Sequence, residues 1–192
     1  MTKLNFDLLD DESAMETIET VARLADENDI DWALAGGLAV ILYGSDRLTK
    51  DVDIIASKKL PLESEGNLVQ GGERYIVKTS KKIVVVDWIT RTDEAKRFYE
   101  RALKDAVMIA DTPILTPEWL VILKYIAGRF KDQEDGIFLL RQKGLVDRNK
   151  VKQMILEIGG NETWAVFRSG LERWYELADG GKPPLKEGYI DS

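Results

Sequence analysis

The sequence predicts a mixed α/β (α+β) fold: a small mixed sheet of about four or five strands flanked by helices, with a helical appendage at the C-terminal end. Three observations carry this. Apolar runs of strand length recur at 31–36, 50–56, 73–79, 82–89 and 106–109. Segments with helical apolar spacing lie between some of them. From Thr116 onward the spacing is helical almost throughout.

Taken in order, Asp10-Asp11-Glu12-Ser13 opens an acidic amphipathic helix to about Glu27, with Ile18, Val21, Ala22 and Ala25 on its inner face. Trp32-Ala33-Leu34-Ala35 reads as a strand and runs through Gly36-Gly37 into a short apolar helix, Leu38 to Tyr43, which Gly44-Ser45 ends. The second strand follows, and Ser57 to Gly72 is a polar, glycine-containing loop over one edge of the site. Glu73 to Thr79 and Lys82 to Ile89 form a hairpin turning near Ser80-Lys81. Thr92-Asp93-Glu94 caps a helix to about Leu103, and 106–109 adds a last short strand. The helices after that span 116–130, 131–142, 147–158 and 162–178. On the last of them Trp164, Phe167, Leu171 and Trp174 form a stripe that is either core or a partner surface. The breaker-rich tail from Asp179 to Pro184 reads as extended or disordered. The division that follows is a core over 1–112, a helical region over 113–179 packed on it, and a tail over 180–192.

The second strand carries the chemistry. Side chains alternate between faces, so Asp51 and Asp53 share one side while Val52 and Ile54 point to the core. Two carboxylates in one cavity repel each other, and a raised pKa or a shared hard cation such as Mg²⁺ relieves this. Asp87 ends the buried run Ile83 to Val86 and would be costly to bury alone; placed beside the first pair it completes a set of three. Three such carboxylates can hold two ions about 3.5–4 Å apart, the arrangement of phosphoryl and nucleotidyl transfer. Trp88, next in line, faces the core. Gly36 and Gly37, at a strand-to-helix junction, let backbone N–H groups approach a phosphate closely. Gly44-Ser45 is the competing phosphate site, but only Asp46 to Lys50 separates it from the acidic strand, too little for a helix.

Together, Gly36-Gly37, Gly44, Arg47-x-Thr49-x-Asp51-x-Asp53 and the later Asp87 resemble the signature of the polymerase-β-type nucleotidyltransferase superfamily. Within it the pattern is most similar to a minimal branch that includes AbiEii-like toxin nucleotidyltransferases and small antibiotic nucleotidyltransferases. Thr116 to Asp135 resembles the proline-glutamate-started helix, with its lysine and following lysine-aspartate, that packs beside the catalytic sheet in that branch. The resemblance covers roughly residues 30–140.

It implies a nucleotidyltransferase-like sheet and transfer of a nucleoside monophosphate from an NTP to an acceptor hydroxyl or phosphate, with pyrophosphate leaving. Asp51 and Asp53 would ligate both metals, and Asp87 would complete the ion that activates the acceptor. Gly36 and Gly37 would hold the triphosphate. The ions would be two Mg²⁺, with Mn²⁺ the alternative. Arg47 and Thr49 fall in step with the aspartates if the strand begins early, and the planar fork of Arg47 suits phosphate oxygens. Lys124, Gly128, Lys131 and Asp135 fall on one helical stripe, with Leu120, Leu123, Ala127 and Phe130 adjoining; a polar stripe lining a cleft makes Lys124 a candidate triphosphate ligand.

Each piece has a plainer reading. An Asp-x-Asp pair is often a solvated strand end, and Asp87 could cap nearby N–H groups. Arg47 could simply neutralise Asp51, and Lys124 to Asp135 could be a solvated face with ion pairs. None of these predicts the combination.

Composition narrows the chemistry. The 192 residues contain no cysteine and no histidine, which excludes disulfides, thiolate zinc sites, cysteine nucleophiles, histidine bases and Ser-His-Asp triads. Asp87 is then the natural proton acceptor. Net charge is −7, which does not favour nonspecific nucleic-acid binding. Nine acids against Arg23 alone put −8 between Asp7 and Asp29, so the remainder sums to +1 and leaves room for a basic cleft around Arg47, Lys50, Lys124, Arg129 and Lys131. No apolar run approaches the ~20 residues of a membrane span, and the N-terminus lacks a signal peptide pattern, so a cytoplasmic enzyme with no membrane partner is expected. An NTP is the expected donor. tRNA, protein and small molecules stay open as acceptors, and a homodimer or a cognate antitoxin-like protein as partners. A noncatalytic nucleotide-binding module, and a toxin–antitoxin or phage-defence component acting through protein contacts, are the rival functions.

Overall fold

Helix α1 (Asp11–Asp26) begins where Asp10 accepts a hydrogen bond from the Ser13 amide at 3.0 Å, and buries Ala14, Val21 and Ala25 against the sheet. The structure is a computed structural model and describes residues 8–181. Beyond α1 come β1 (Trp32–Leu34), α2 (Gly36–Leu42), β2 (Asp51–Ala56), β3 (Gly66–Asn67), β4 (Glu73–Lys78), β5 (Ile83–Ile89), α3 (Lys96–Lys104), β6 (Val107–Ile109), β7 (Thr112–Ile114), α4 (Pro117–Ala127), α5 (Phe130–Arg141) and α6 (Arg148–Ala178). The fold is mixed α+β, as the sequence predicts.

The sheet has seven strands in the order β3-β4-β5-β2-β1-β7-β6 among the described residues, more than the four or five expected. The additions are β3 and β7. Two or three residues are too few to display an alternation, and Pro113 lacks the N–H a strand reading looks for. The expected boundary between 112 and 113 falls inside β7, and the later helices pack into the same hydrophobic core as the sheet.

The centre of the sheet positions the site. Strands β2 and β5 run parallel with Asp53 opposite Asp87 and Asp51 opposite Val85, while β4 runs antiparallel to β5 with Arg74 opposite Asp87. The β4–β5 hairpin is the expected one and turns over Thr79, whose amide donates to Lys82 O at 2.9 Å. Val52, Ile54, Val86 and Trp88 are fully buried, and the Trp88 indole donates to Lys58 O at 2.8 Å, so it faces away from the aspartates as predicted.

Several helix boundaries differ from the expected ones. The glycine pair lies inside α2 rather than before it. Helix α3 starts at Lys96 with Ala95 as its N-cap and no side-chain cap; the expected capping residue Asp93 lies outside it and accepts from the Ala95 amide at 3.2 Å. Helix α4 stops at Ala127, and Gly128 turns left-handed at φ 68. The predicted stripe through Lys124, Gly128, Lys131 and Asp135 therefore spans two helices; Lys131 is exposed, and Phe130, placed with the apolar face, is 76% exposed. Gly160, at φ 69 and ψ −167, breaks α6 into the two segments expected. Leu171 and Trp174 are buried and Phe167 stacks on Phe98 at 5.6 Å, so the aromatic stripe is core. Of the tail, only residues up to 181 are described; the rest of that reading lies outside them.

Candidate metal and nucleotide site

Strand pleating puts Asp51 and Asp53 on one face of β2, and the parallel register brings Asp87 of β5 level with Asp53. One carboxylate oxygen from each residue lies within 4.8 Å of the other two. Burial, and then the neighbouring Asp51 charge, push the Asp53 carboxyl up to about 6. This is an all-oxygen donor set of like charges, and it fits a hard divalent cation.

The glycines meet this cluster. The Gly37 amide points at Asp53 Oδ2 at 3.4 Å. Gly36 adopts φ +59, and a Cβ there would lie 1.7 Å from the same oxygen, so no side chain fits. A Cβ on Gly37 would meet Thr49 Oγ1 at 3.0 Å and Arg47 Nη2 at 3.2 Å. The sequence thus singled out a real junction, where the start of α2 abuts the carboxylates.

Thr49 and Arg47 precede β2, which begins only at Asp51. Thr49 is buried and donates to Asp51 Oδ1 at 3.0 Å, fixing that carboxylate. Arg47 turns to α5 and donates to Asp135, 2.6 Å from Oδ1. Lys124 is buried and bridges Asp132 at 3.0 Å and Asp135 at 2.6 Å. Arg129 closes the cluster on Asp132 at 2.6 Å. Burial alone would raise Asp132, but Arg129 and Lys124 bring it below the usual carboxylate range. The two predicted phosphate-binding cations are therefore held by carboxylates of α5.

A cavity of about 170 Å³ opens beside Asp53, lined by Gly36, Tyr99, Leu120, Leu123, Lys124 and Arg129 among others. Burial pushes the Tyr99 phenol up. Lys124 thus borders the cavity while its ammonium is committed to α5.

Sequence reasoning missed Arg74 and Asp132; Asp135 stood in the predicted stripe, and the ion pairs that its plainer reading allowed do form, buried rather than solvated. Arg74 binds both oxygens of Asp87, Nε at 2.7 Å and Nη2 at 3.0 Å, and this pairing raises the already basic guanidinium further. Its signal lay in the hairpin register, which places 74 opposite 87 once the turn is fixed.

No family model matches the chain, and no curated protein matches it. Among solved structures it is similar to an antigenic nucleotidyltransferase-like protein from Paracoccidioides brasiliensis, at 15% identity and TM-score 0.47, over 91% of this chain and 96% of that one. It is also similar to ANT(2″)-Ia in complex with adenylyl-2″-tobramycin, at 17% identity and TM-score 0.43, over 83% and 99%. A solution structure of the antibiotic-resistance factor ANT(2″)-Ia matches at 14% identity and TM-score 0.36, over 88% and 97%. None of the three is described as an AbiEii-like toxin. These are distant likenesses to nucleotidyltransferase-like proteins, and the functional reading of this chain rests on its own geometry.

Proposed function

We propose that this protein is a metal-dependent nucleotidyltransferase that moves a nucleoside monophosphate from an NTP to an acceptor hydroxyl or phosphate and releases pyrophosphate. The observation that carries this reading is the convergence of Asp51, Asp53 and Asp87 against the amides at the start of α2.

Asp51, Asp53 and Asp87 would hold Mg²⁺, or Mn²⁺, two ions in all. Bound there, such ions would neutralise triphosphate oxygens and lower the pKa of the acceptor. The chain does the rest. Gly36 and Gly37 offer backbone amides to the triphosphate with no side chain in the way. Thr49 orients Asp51, and Arg74 orients Asp87. Lys124 and Arg47 face phosphate only by exchanging Asp135 for it. The acceptor oxygen attacks the α-phosphorus, the α–β bridging bond breaks, and the acceptor proton passes to Asp87, as no histidine exists to take it. The cytoplasmic setting, the AbiEii-like branch and a cognate partner belong to this proposal too.

Incubation of the protein with each labelled NTP, Mg²⁺ and total cell extract tests the reading, with the Asp51→Asn, Asp53→Asn double variant beside it. Label transferred by the native chain and not by the variant is expected and identifies the acceptor. Equal labelling by both removes the chemistry.

A further inference from the structure

The two flanks of the carboxylate cluster differ in the cations they can offer. On the α2 flank, Arg47 and Lys124 are engaged by Asp135 and Asp132. On the β4 flank stands Arg74, whose side chain is 49% exposed although Asp87 beneath it is buried. Its hydrogen bonds to Asp87 use Nε and Nη2. A guanidinium carries five N–H donors, so three remain.

Among the described residues no other hydrogen bond from the Arg74 side chain is formed. Gly66 of β3 lies directly opposite Arg74 and has open space where a side chain would stand. Strand alternation places Arg74, Ile76 and Lys78 on the aspartate face of β4, and Tyr75 and Val77 in the core. Lys78 is exposed and makes no ion pair among the described residues. That face of β4 therefore carries two cations, no acid, and a half-exposed fork anchored next to the proposed proton acceptor.

We propose that Arg74 is an acceptor-side specificity residue: anchored by Asp87, it uses its free donors to hold a phosphate group of the acceptor, with Lys78 adding charge further along β4. This rests on the nucleotidyltransferase reading and narrows the acceptor to a phosphate-bearing molecule, either a free nucleotide or an RNA end. A planar fork suits a phosphate bidentately, and its fixed anchoring lowers the ordering cost of binding.

Binding is measured in Mg²⁺ with the donor site saturated by a non-hydrolysable NTP analogue. One arm compares adenosine 5′-monophosphate with adenosine; the other compares a 5′-phosphorylated hexaribonucleotide with its 5′-hydroxyl form. In at least one arm the phosphorylated probe binds about tenfold or more tightly, Arg74→Ala abolishes the difference, and Arg74→Lys restores part of it. Which arm responds identifies the source of the phosphate. Because Asp87 is buried, Arg74→Ala melts lower than wild type while Arg74→Lys keeps a cation over it and stays close, so binding is compared below the melting temperature of both variants. No preference in either arm, or a preference that survives Arg74→Ala, overturns the proposal. Failure of the NTP analogue to bind wild type counts against the nucleotidyltransferase reading instead, and the phosphate preference is still read from the two arms without it.

Discussion

Lys124 of α4 and Asp135 of α5 share a buried hydrogen bond of 2.6 Å, and the same lysine reaches Asp132 at 3.0 Å. Five charges meet here: Arg47, Lys124, Arg129, Asp132 and Asp135. Removing one partner of such a buried set strands the others, at about 3–5 kcal/mol. Lys124→Ala should therefore lower unfolding free energy by about 3 kcal/mol or more in urea titrations. Arg129→Ala, at a side chain 55% exposed, should cost about 1 kcal/mol or less. Equal effects would mean that the cluster is solvated.

Gly36→Ala should remove divalent-metal binding with most of the chain still folded. The new methyl group would collide with Asp53, and φ +59 adds backbone strain of about 1–2 kcal/mol. Gly44→Ala, at φ +98 but in open space, should carry only the strain. Mn²⁺ titration followed by electron paramagnetic resonance distinguishes them: Gly44→Ala keeps wild-type affinity and Gly36→Ala does not.

The Asp53 carboxyl sits at about 6, against an ordinary value of ~3.9 in an unfolded chain. The folded state therefore holds more protons than the unfolded one between these values. The contribution of Asp53 to stability is fully present below the lower value and is lost as pH rises through about 6. Without metal, Asp53→Asn should then melt higher than wild type at neutral pH, by about 1–2 kcal/mol after allowance for partial exposure, and the gap should close towards pH 4. Added Mn²⁺ should reverse the order, because it needs the ionised carboxylate. Calorimetry across this range in EDTA and in Mn²⁺ checks both signs.

Gly136 of α5 packs against Trp174 so closely that a Cβ would lie 2.2 Å from its ring. Gly136→Ala should overpack the α5–α6 contact and cost about 1–3 kcal/mol, despite the better helix propensity of alanine. A stabilised variant in denaturant titrations would show that α6 can shift without penalty.

The parts of this molecule that were legible in the sequence are those specified locally. The Asp51–Asp53 alternation, the glycine junction and the β4–β5 hairpin each depend on a few neighbouring residues, and each appears where its pattern stands. Very short strands such as β3 offered no period to read. The partners of Arg47 and Lys124 were not legible for a different reason. Gly128 ends α4 and reorients α5, so Asp132 and Asp135 return towards Lys124 from a second helix. The predicted stripe treats the two expected helices, 116–130 and 131–142, as one continuous face, and spacing alone does not give the angle between them. Arg74 was hidden likewise, since only the cross-strand register couples it to Asp87.

The parallel pairing of β2 with β5 has a consequence for biogenesis. Asp53 and Asp87 become neighbours only after the chain has passed through β3 and β4, so synthesis must proceed beyond residue 87 before both can line one pocket. Closing so long a loop delays this step relative to local hairpin and helix formation. The pocket that Asp51, Asp53 and Asp87 share is accordingly among the last parts of the central sheet to be completed as the chain folds.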